Sequence, residues 1–272
     1  MKMSIDLQDF RLYLQDRKLS DNTIASYLGS LRLYKSLYPT LTAANVRKYR
    51  SYLIKHFRPA TVNQRLCGFN HYLDSLGKPE YKQPAVRLQT ASYLDAVISN
   101  KDYLSLKRKL KKHGPEQWFF VVWFLGATGA RVSELLKFKA EHLSAGYMDL
   151  CSKGGKVRRI YIPDTLCREA AAWCNRRELK IGYLFVNRKG VPLTARGINS
   201  QLKHYARIYK IDPDTVYPHS FRHRFAINFL RRFNDIALLA DLLGHNNVET
   251  TRIYLTRSTK EQQVMIDRIV TW

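Results

Sequence analysis

The sequence is short of acid. Its 272 residues carry 22 Asp and Glu against 46 Lys and Arg, a formal charge of +24. Self-repulsion on that scale disfavours a compact state unless a polyanion is the working partner. Nucleic acid fits the requirement, because a strongly basic domain is the electrostatic footprint of such binding. A basic protein resting on a membrane surface is the competing reading. Cysteine is scarce as well. Cys67, Cys151, Cys167 and Cys174 form no CxxC pair and read as reduced thiols that fill space as small hydrophobes in a cytoplasmic protein. Long hydrophobic runs are missing. The longest, residues 118–127, is far short of a bilayer span and reads as a buried helix. The opening MKMSIDLQDF is too polar and too acidic for a signal peptide. No internal repeat or low-complexity tract occurs, and no membrane association is expected.

What is present begins with helical periodicity. Hydrophobic residues make up 45% of the chain, enough to bury a core. Within residues 1–77 apolar positions recur at spacings of three and four, which predicts four short helices. Their stripes run through Leu7, Phe10 and Leu14; Ile24, Tyr27, Leu28, Leu31 and Tyr34; Val46, Tyr49, Leu53 and Phe57; and Val62, Leu66, Phe69, Leu73 and Leu76. Ser4, Asp21 and Thr42 are the expected caps of the first three. Pro59 opens the fourth and Gly77 stops it. The opposite faces carry Arg11, Arg17, Arg32, Arg47, Lys48, Arg50, Lys55, Arg58 and Arg65 with few acids nearby, which favours a surface facing DNA over merely solvated charge. Residues 78–92 lack periodicity and read as a linker. From residue 93 a larger segment begins, with short β-rich runs at 147–151 and 157–162 around Gly154 and Gly155, a hairpin signal. A third run at 183–186 is a candidate to pair with it. Helices are expected at 165–177, 194–209, 219–233, 235–243 and 248–255. The predicted fold class is mainly α with a small β-sheet (α+β).

Several residue groups suit phosphate chemistry. Arg131 follows Thr128-Gly129-Ala130 and opens a helix, where a guanidinium and converging backbone N–H groups both favour an anion. Glu134 stands one turn on, placed to brace it; a plain surface Arg–Glu pair is the alternative. His219 and Arg222 lie three apart on one helix face, suited to a single phosphate or to simple solvation. His219 and His223 stand at i, i+4, a spacing used by zinc helices, but the glutamate of HExxH is absent and position 220 is serine. No metal or other cofactor is expected. His245 follows a helix-ending glycine. Tyr254 is one of 17 tyrosines, and composition alone does not single it out.

Four stretches in order, TGARVSELLKF, SKGGKVRRIYIP, PHSFRHRFA and LLGHNNVETTRIY, resemble the tyrosine recombinase (phage integrase) family, particularly its small Xer-like members. The resemblance implies an N-terminal helical core-binding domain (residues 1–77), a linker (78–92) and a mixed catalytic domain (93–272) that clamp DNA. It implies that Arg131 and Arg222 bind non-bridging phosphate oxygens and that His219 accepts or relays a tyrosine proton. His245 then donates to the phosphate, Tyr254 is the nucleophile, and Lys153 on the hairpin protonates the departing 5′ oxygen. Lys156 competes for that last role, but the family sets its lysine before the glycine. The implied activity is site-specific strand cleavage and rejoining through a 3′-phosphotyrosyl intermediate, without ATP or metal. The implied partner is double-stranded DNA with paired recognition sites, held by a homotetramer that is a monomer or weak dimer when free. A type IB topoisomerase and an idle DNA-binding regulator are the rival readings. Residues 257–272 carry a further helical stripe, which docks either on its own domain or on a neighbouring subunit.

Overall fold

The computed structural model describes residues 6–87, 96–151, 157–245 and 247–255. The chain divides into two compact units, residues 1–90 and 91–272. In the first, α1 (Leu7–Asp16), α2 (Asp21–Leu37), α3 (Ala43–His56) and α4 (Pro59–Ser75) follow the four apolar stripes. Their ends obey local chemistry. Asp6 caps α1 by accepting from the Gln8 and Asp9 N–H groups; Ser4 lies outside the described residues. Ser20, one residue before the expected Asp21, caps α2. Its backbone is extended and its hydroxyl takes the Thr23 N–H, while Asp21 enters the first turn and faces the positive end of the helix. Thr42 caps α3 through the Asn45 N–H. Pro59 sits at the first turn of α4, where its missing N–H costs nothing. Gly77, at φ +64°, closes α4: its N–H reaches Asp74 O at 3.0 Å and the Lys78 N–H reaches Leu73 O at 2.9 Å.

Phe10, Tyr34, Tyr49, Phe69 and Tyr72 form the centre of this unit. The buried phenols keep partners: Tyr49 Oη donates to Ser30 O at 2.9 Å and Tyr34 Oη to Thr40 O at 3.0 Å. The stretch read as a linker is tied down over residues 78–87. Asn70 holds Gln83 and Asn63 holds Val86, each side-chain amide donating to the backbone C=O and accepting from the backbone N–H. Two asparagines thus act as short strand partners, which linear periodicity cannot reveal.

The second unit opens with α5 (Asn100–His113) and α6 (Glu116–Thr128), followed by α7 (Val132–Leu135) and α8 (Glu141–Ala145). Strands β1 (Tyr147–Cys151) and β2 (Val157–Tyr161) pair antiparallel, with Tyr147 opposite Tyr161 and Cys151 opposite Val157. Then come α9 (Asp164–Arg176), α10 (Ala195–Ile208), α11 (Pro218–Phe233), α12 (Ile236–Leu243) and α13 (Glu249–Arg252), the last continuing as a 3-10 turn over Ile253–Leu255. The described residues are thus mainly helical with one small sheet, the expected class. Residues 183–186 do not join the hairpin. Tyr183 bridges to Lys139 and Val186 to Pro192, because Leu184 and Phe185 are drawn into the core between them. The stripe at 257–272 lies outside the described residues.

The buried-helix reading of residues 118–127 holds: α6 is apolar around most of its circumference and forms the axis of the core. Phe124 is fully buried, with ring centres 5.0 Å from Phe138 and 5.5 Å from Phe185. Among the described residues no helix is long and apolar enough to cross a membrane. Phe124→Ala is expected to cost about 3–5 kcal/mol, the range for a truncated core aromatic. In urea unfolding of the full chain, the loss should fall on the transition of the second unit and leave that of the first unmoved.

Candidate active site

The site begins where α6 stops. Gly129 takes φ +63°, and Phe225 of α11 lies 2.6 Å from where a Cβ would stand, so only glycine makes this turn without strain. The turn delivers Arg131 to the N-cap of α7. Glu134 reaches back: its Oε2 accepts the Arg131 backbone N–H at 2.7 Å and its Oε1 accepts Arg131 Nη1 at 2.9 Å. Arg158 of β2 donates Nη1 to the same Oε1 at 2.6 Å, and Arg222 Nη1 stands 3.9 Å from Oε2. Glu134 is 8% exposed. Burial raises its pKa, but the Arg131 N–H, the Arg158 charge and the Arg131 side chain outweigh that, and the carboxyl stays below its ordinary value.

The three arginines converge on the end of α12. Arg158 donates to Leu242 O from Nε at 3.1 Å and from Nη2 at 2.7 Å. Arg222 Nη2 donates to Leu243 O at 2.6 Å, and Arg131 Nη2 to Gly244 O at 3.3 Å. Three successive carbonyls at a helix C-terminus, each with partial negative charge, hold one guanidinium apiece. Gly244 takes φ +62°, and a Cβ there would run into the Arg158 side chain. Arg222, 3% exposed, also donates Nη1 to Gly129 O at 2.9 Å. Burial, then Arg131 and Arg158, lower its pKa to about 10.

His245 follows Gly244. Arg222 Nη2 donates to its Nε2 at 3.0 Å. Arginine carries no acceptor, so Nε2 holds the lone pair and Nδ1 carries the hydrogen, which it donates to Thr251 Oγ1 at 2.8 Å. Burial and then the arginines push His245 down to about 4, so the ring is neutral at neutral pH.

Tyr254 packs in a small cluster with Ala226, Leu230, Leu239 and Leu243. It is 9% exposed, and burial raises its pKa against the opposing charges of Arg222 and Arg131. Its Oη lies 2.9 Å from His223 Nδ1. The family resemblance implies His219 for that contact, but His219 is exposed and lies one turn away on α11, its ring centre 6.4 Å from that of His223. Among the described residues no group of three or more His, Cys, Asp and Glu is placed to hold a metal ion.

Arg131, Arg222, His245 and Tyr254 are therefore brought together, with His219 at the edge. Lys153 and Lys156 lie outside the described residues. An open cleft of about 500 Å³ beside them is lined by Arg131, Lys137, Arg158, Arg159 and His245, among others. Arg158, Thr251 and the contact made by His223 are not marked by the sequence motifs. Arg158 had one signal, since an arginine at an inward-facing position of a strand needs a carboxylate to accompany it.

A model of the phage integrase family matches residues 97–261. The chain is 27% identical to tyrosine recombinase XerD of Staphylococcus haemolyticus (strain JCSC1435), over 94% of this chain and 86% of that protein. It is 28% identical to tyrosine recombinase XerA of Pyrococcus furiosus, over 96% and 93%. Among solved structures, XerH site-specific recombinase in a post-cleavage complex with palindromic difH substrate superposes with a TM-score of 0.74 at 19% identity, covering 98% of this chain and 85% of that one. At that identity the likeness bears on the fold alone.

The geometry makes Glu134 the residue the arginines lean on. Glu134→Ala should destabilise the second unit by about 3–5 kcal/mol, because buried guanidiniums lose their counter-charge. Chemical denaturation of the full chain measures this, and a loss under about 1 kcal/mol would contradict it.

Proposed function

Because the chain belongs to the phage integrase family, we propose that it is a site-specific DNA recombinase that cuts and rejoins DNA strands through a 3′-phosphotyrosyl bond to Tyr254. The observation that carries this reading is the convergence of Arg131 and Arg222 on one carboxylate, with His245 bonded to Arg222 and a buried tyrosine within reach of both arginine charges. Tyr254 Oη attacks the scissile phosphorus. Arg131 and Arg222 bind the non-bridging oxygens, a task suited to the planar guanidinium fork. They carry the charge that develops on those oxygens, so the step needs no metal ion. The phosphate competes for the Arg222 hydrogen now given to His245. Its negative charge also offsets the repulsion that keeps His245 neutral, so His245 gains a proton and donates to the phosphate. Lys153 protonates the departing 5′ oxygen. The phosphotyrosyl link retains the bond energy, and the 5′ hydroxyl of a partner strand attacks it without ATP.

The substrate is double-stranded DNA with paired recognition sites, brought together by a homotetramer of a chain that is a monomer or weak dimer when free. XerH, a relative in fold, was solved on its difH substrate. The helical unit of residues 1–77 contributes DNA contacts, supported by exposed Arg47, Lys48, Lys55 and Arg58. The segment from residue 93 carries the chemistry.

A pool of nicked duplexes with randomised arms tests the nucleophile, because a nick a few nucleotides beyond the scissile phosphate lets the short fragment that carries the 5′ hydroxyl escape and traps the adduct. Wild type should form covalent adducts in excess EDTA. Tyr254→Phe should form none while still binding the captured duplexes, since only one oxygen is lost. An adduct with the phenylalanine variant, or a requirement for Mg²⁺ in wild type, would overturn the assignment.

The general acid has its own test. Lys153→Ala should slow cleavage of ordinary DNA by roughly 10²–10⁴-fold, typical of a lost proton donor. A substrate with sulfur as the bridging 5′ atom has a better leaving group, and on it the variant should recover most of its rate. Arg222→Ala should not recover, and Lys156→Ala should behave nearly like wild type on both substrates. Rescue of Lys156→Ala in place of Lys153→Ala moves the role to Lys156.

A further inference from the structure

The hydroxyl of Tyr254 has one described hydrogen-bond partner, His223, and the family resemblance assigned that residue nothing. Its position is fixed by helix geometry. His223, Ala226 and Leu230 fall at i, i+3 and i+7 on α11, a single face. Ala226 and Leu230 pack in the cluster that contains the Tyr254 ring. One turn toward the start of α11, at the hydroxyl end of that ring, the same face presents an imidazole, with Nδ1 2.9 Å from Oη and ring centres 5.6 Å apart. An apolar residue would complete the seat more simply. A polar, titratable one at this point meets the one atom of Tyr254 that can react.

The protonation states of the two groups follow from the surroundings. The groups that face His223 are His219 and Arg222 from its own helix, His245 from the turn after α12, and Tyr254 itself. None of these is a carboxylate. Burial first, then His219 and Arg222, push His223 down to about 4, so its ring is neutral near pH 7. Burial also keeps the phenol protonated. In the tautomer that carries its hydrogen on Nε2, Nδ1 accepts from the phenol, and that tautomer is the one able to take the phenolic proton.

We propose that His223 is a catalytic residue that takes the phenolic proton of Tyr254 as its oxygen bonds to the scissile phosphorus, and returns it when the strands rejoin. This rests on the reading of Tyr254 as the nucleophile. In the forward step the O–H bond of Tyr254 breaks and its proton passes to Nδ1, making an imidazolium. The oxygen's electron pair forms the new P–O bond, the bond from phosphorus to the 5′ oxygen breaks, and the general acid protonates that oxygen. In the reverse step the incoming 5′ hydroxyl gives up its proton to the general acid, and the released phenolate recovers its own from His223. The cationic neighbours oppose an imidazolium in the empty site. A bound phosphate supplies the missing negative charge, so the transfer is coupled to the presence of DNA.

The test is single-turnover adduct formation on the nicked duplex that wild type captures best from the randomised pool, compared among wild type, His223→Ala and His223→Gln between pH 6.5 and 9. Glutamine accepts a hydrogen bond from the phenol but cannot take its proton. Both variants should bind the duplex within a few-fold of wild type and cleave roughly 10²–10⁴-fold more slowly at pH 7, the range for a lost general base. Their rates should climb about tenfold per pH unit as hydroxide replaces the missing base, while the wild-type rate stays nearly flat, so the deficit shrinks with pH. A deficit that is constant with pH, or recovery of the rate by glutamine, would mean that His223 only positions the phenol, and the proposal falls. Wild-type rates in both variants also overturn it while leaving Tyr254 as nucleophile. Absence of any wild-type adduct sinks the nucleophile assignment itself, a different failure.

Discussion

Three guanidiniums share one buried carboxylate, and much of the site's geometry answers to that ratio. Glu134 directly hydrogen-bonds Arg131 and Arg158 and stands within ion-pair reach of Arg222. One negative charge cannot neutralise three positive ones, so the remainder is met by dipoles. Leu242, Leu243 and Gly244 offer successive carbonyls at the end of α12, each to a different arginine. Removing the carboxylate is costly because guanidiniums cannot shed their protons under ordinary conditions. The deficit is also what makes the site ready for an anion: a phosphate oxygen completes a charge balance that the protein leaves open.

The same excess sets the resting state of both inner histidines. His223 and His245 are each held near a pKa of about 4 by burial and cationic neighbours. A neutral imidazole can accept: His245 does so from Arg222, and His223 Nδ1 stands within hydrogen-bond distance of Tyr254 Oη. Both are thereby poised to gain a proton when negative charge arrives. Folding records the same arrangement. These histidines stay neutral in the folded chain down to about pH 4 but protonate near pH 6.5 when unfolded, so the stability they contribute is present above about pH 6.5 and is lost as pH falls from there toward 4.

Two left-handed glycines carry this chemistry into the backbone. Gly129 ends α6 and Gly244 ends α12, at φ +63° and +62°. Each turn exposes a carbonyl to an arginine and delivers a functional side chain shortly afterwards, Arg131 in one case and His245 in the other. A Cβ at either place would meet a neighbouring side chain, Phe225 or Arg158. The electrostatic balance at Glu134 thus depends on two backbone conformations that few other residues tolerate.

Local chemistry in the sequence determined a good deal. Apolar spacing placed the four helices of the first unit, and Thr42, Pro59 and Gly77 marked their ends, because caps and breakers act within a few residues of where they are written. The excess of positive charge pointed to a polyanion, and the run from Arg131 to Glu134 named a brace that the structure contains. Tertiary structure decided what depends on residues distant in the chain. Residues 78–87 read as a linker because nothing local shows Asn63 and Asn70 reaching across to hold them. Arg158 joined the site through a strand that packs beside the end of α12. His219 and His223 share a helix, and only the packing of Tyr254 against Ala226 and Leu230 selects His223. Periodicity tells which face a residue shares, whereas which atom it meets depends on what that face is packed against.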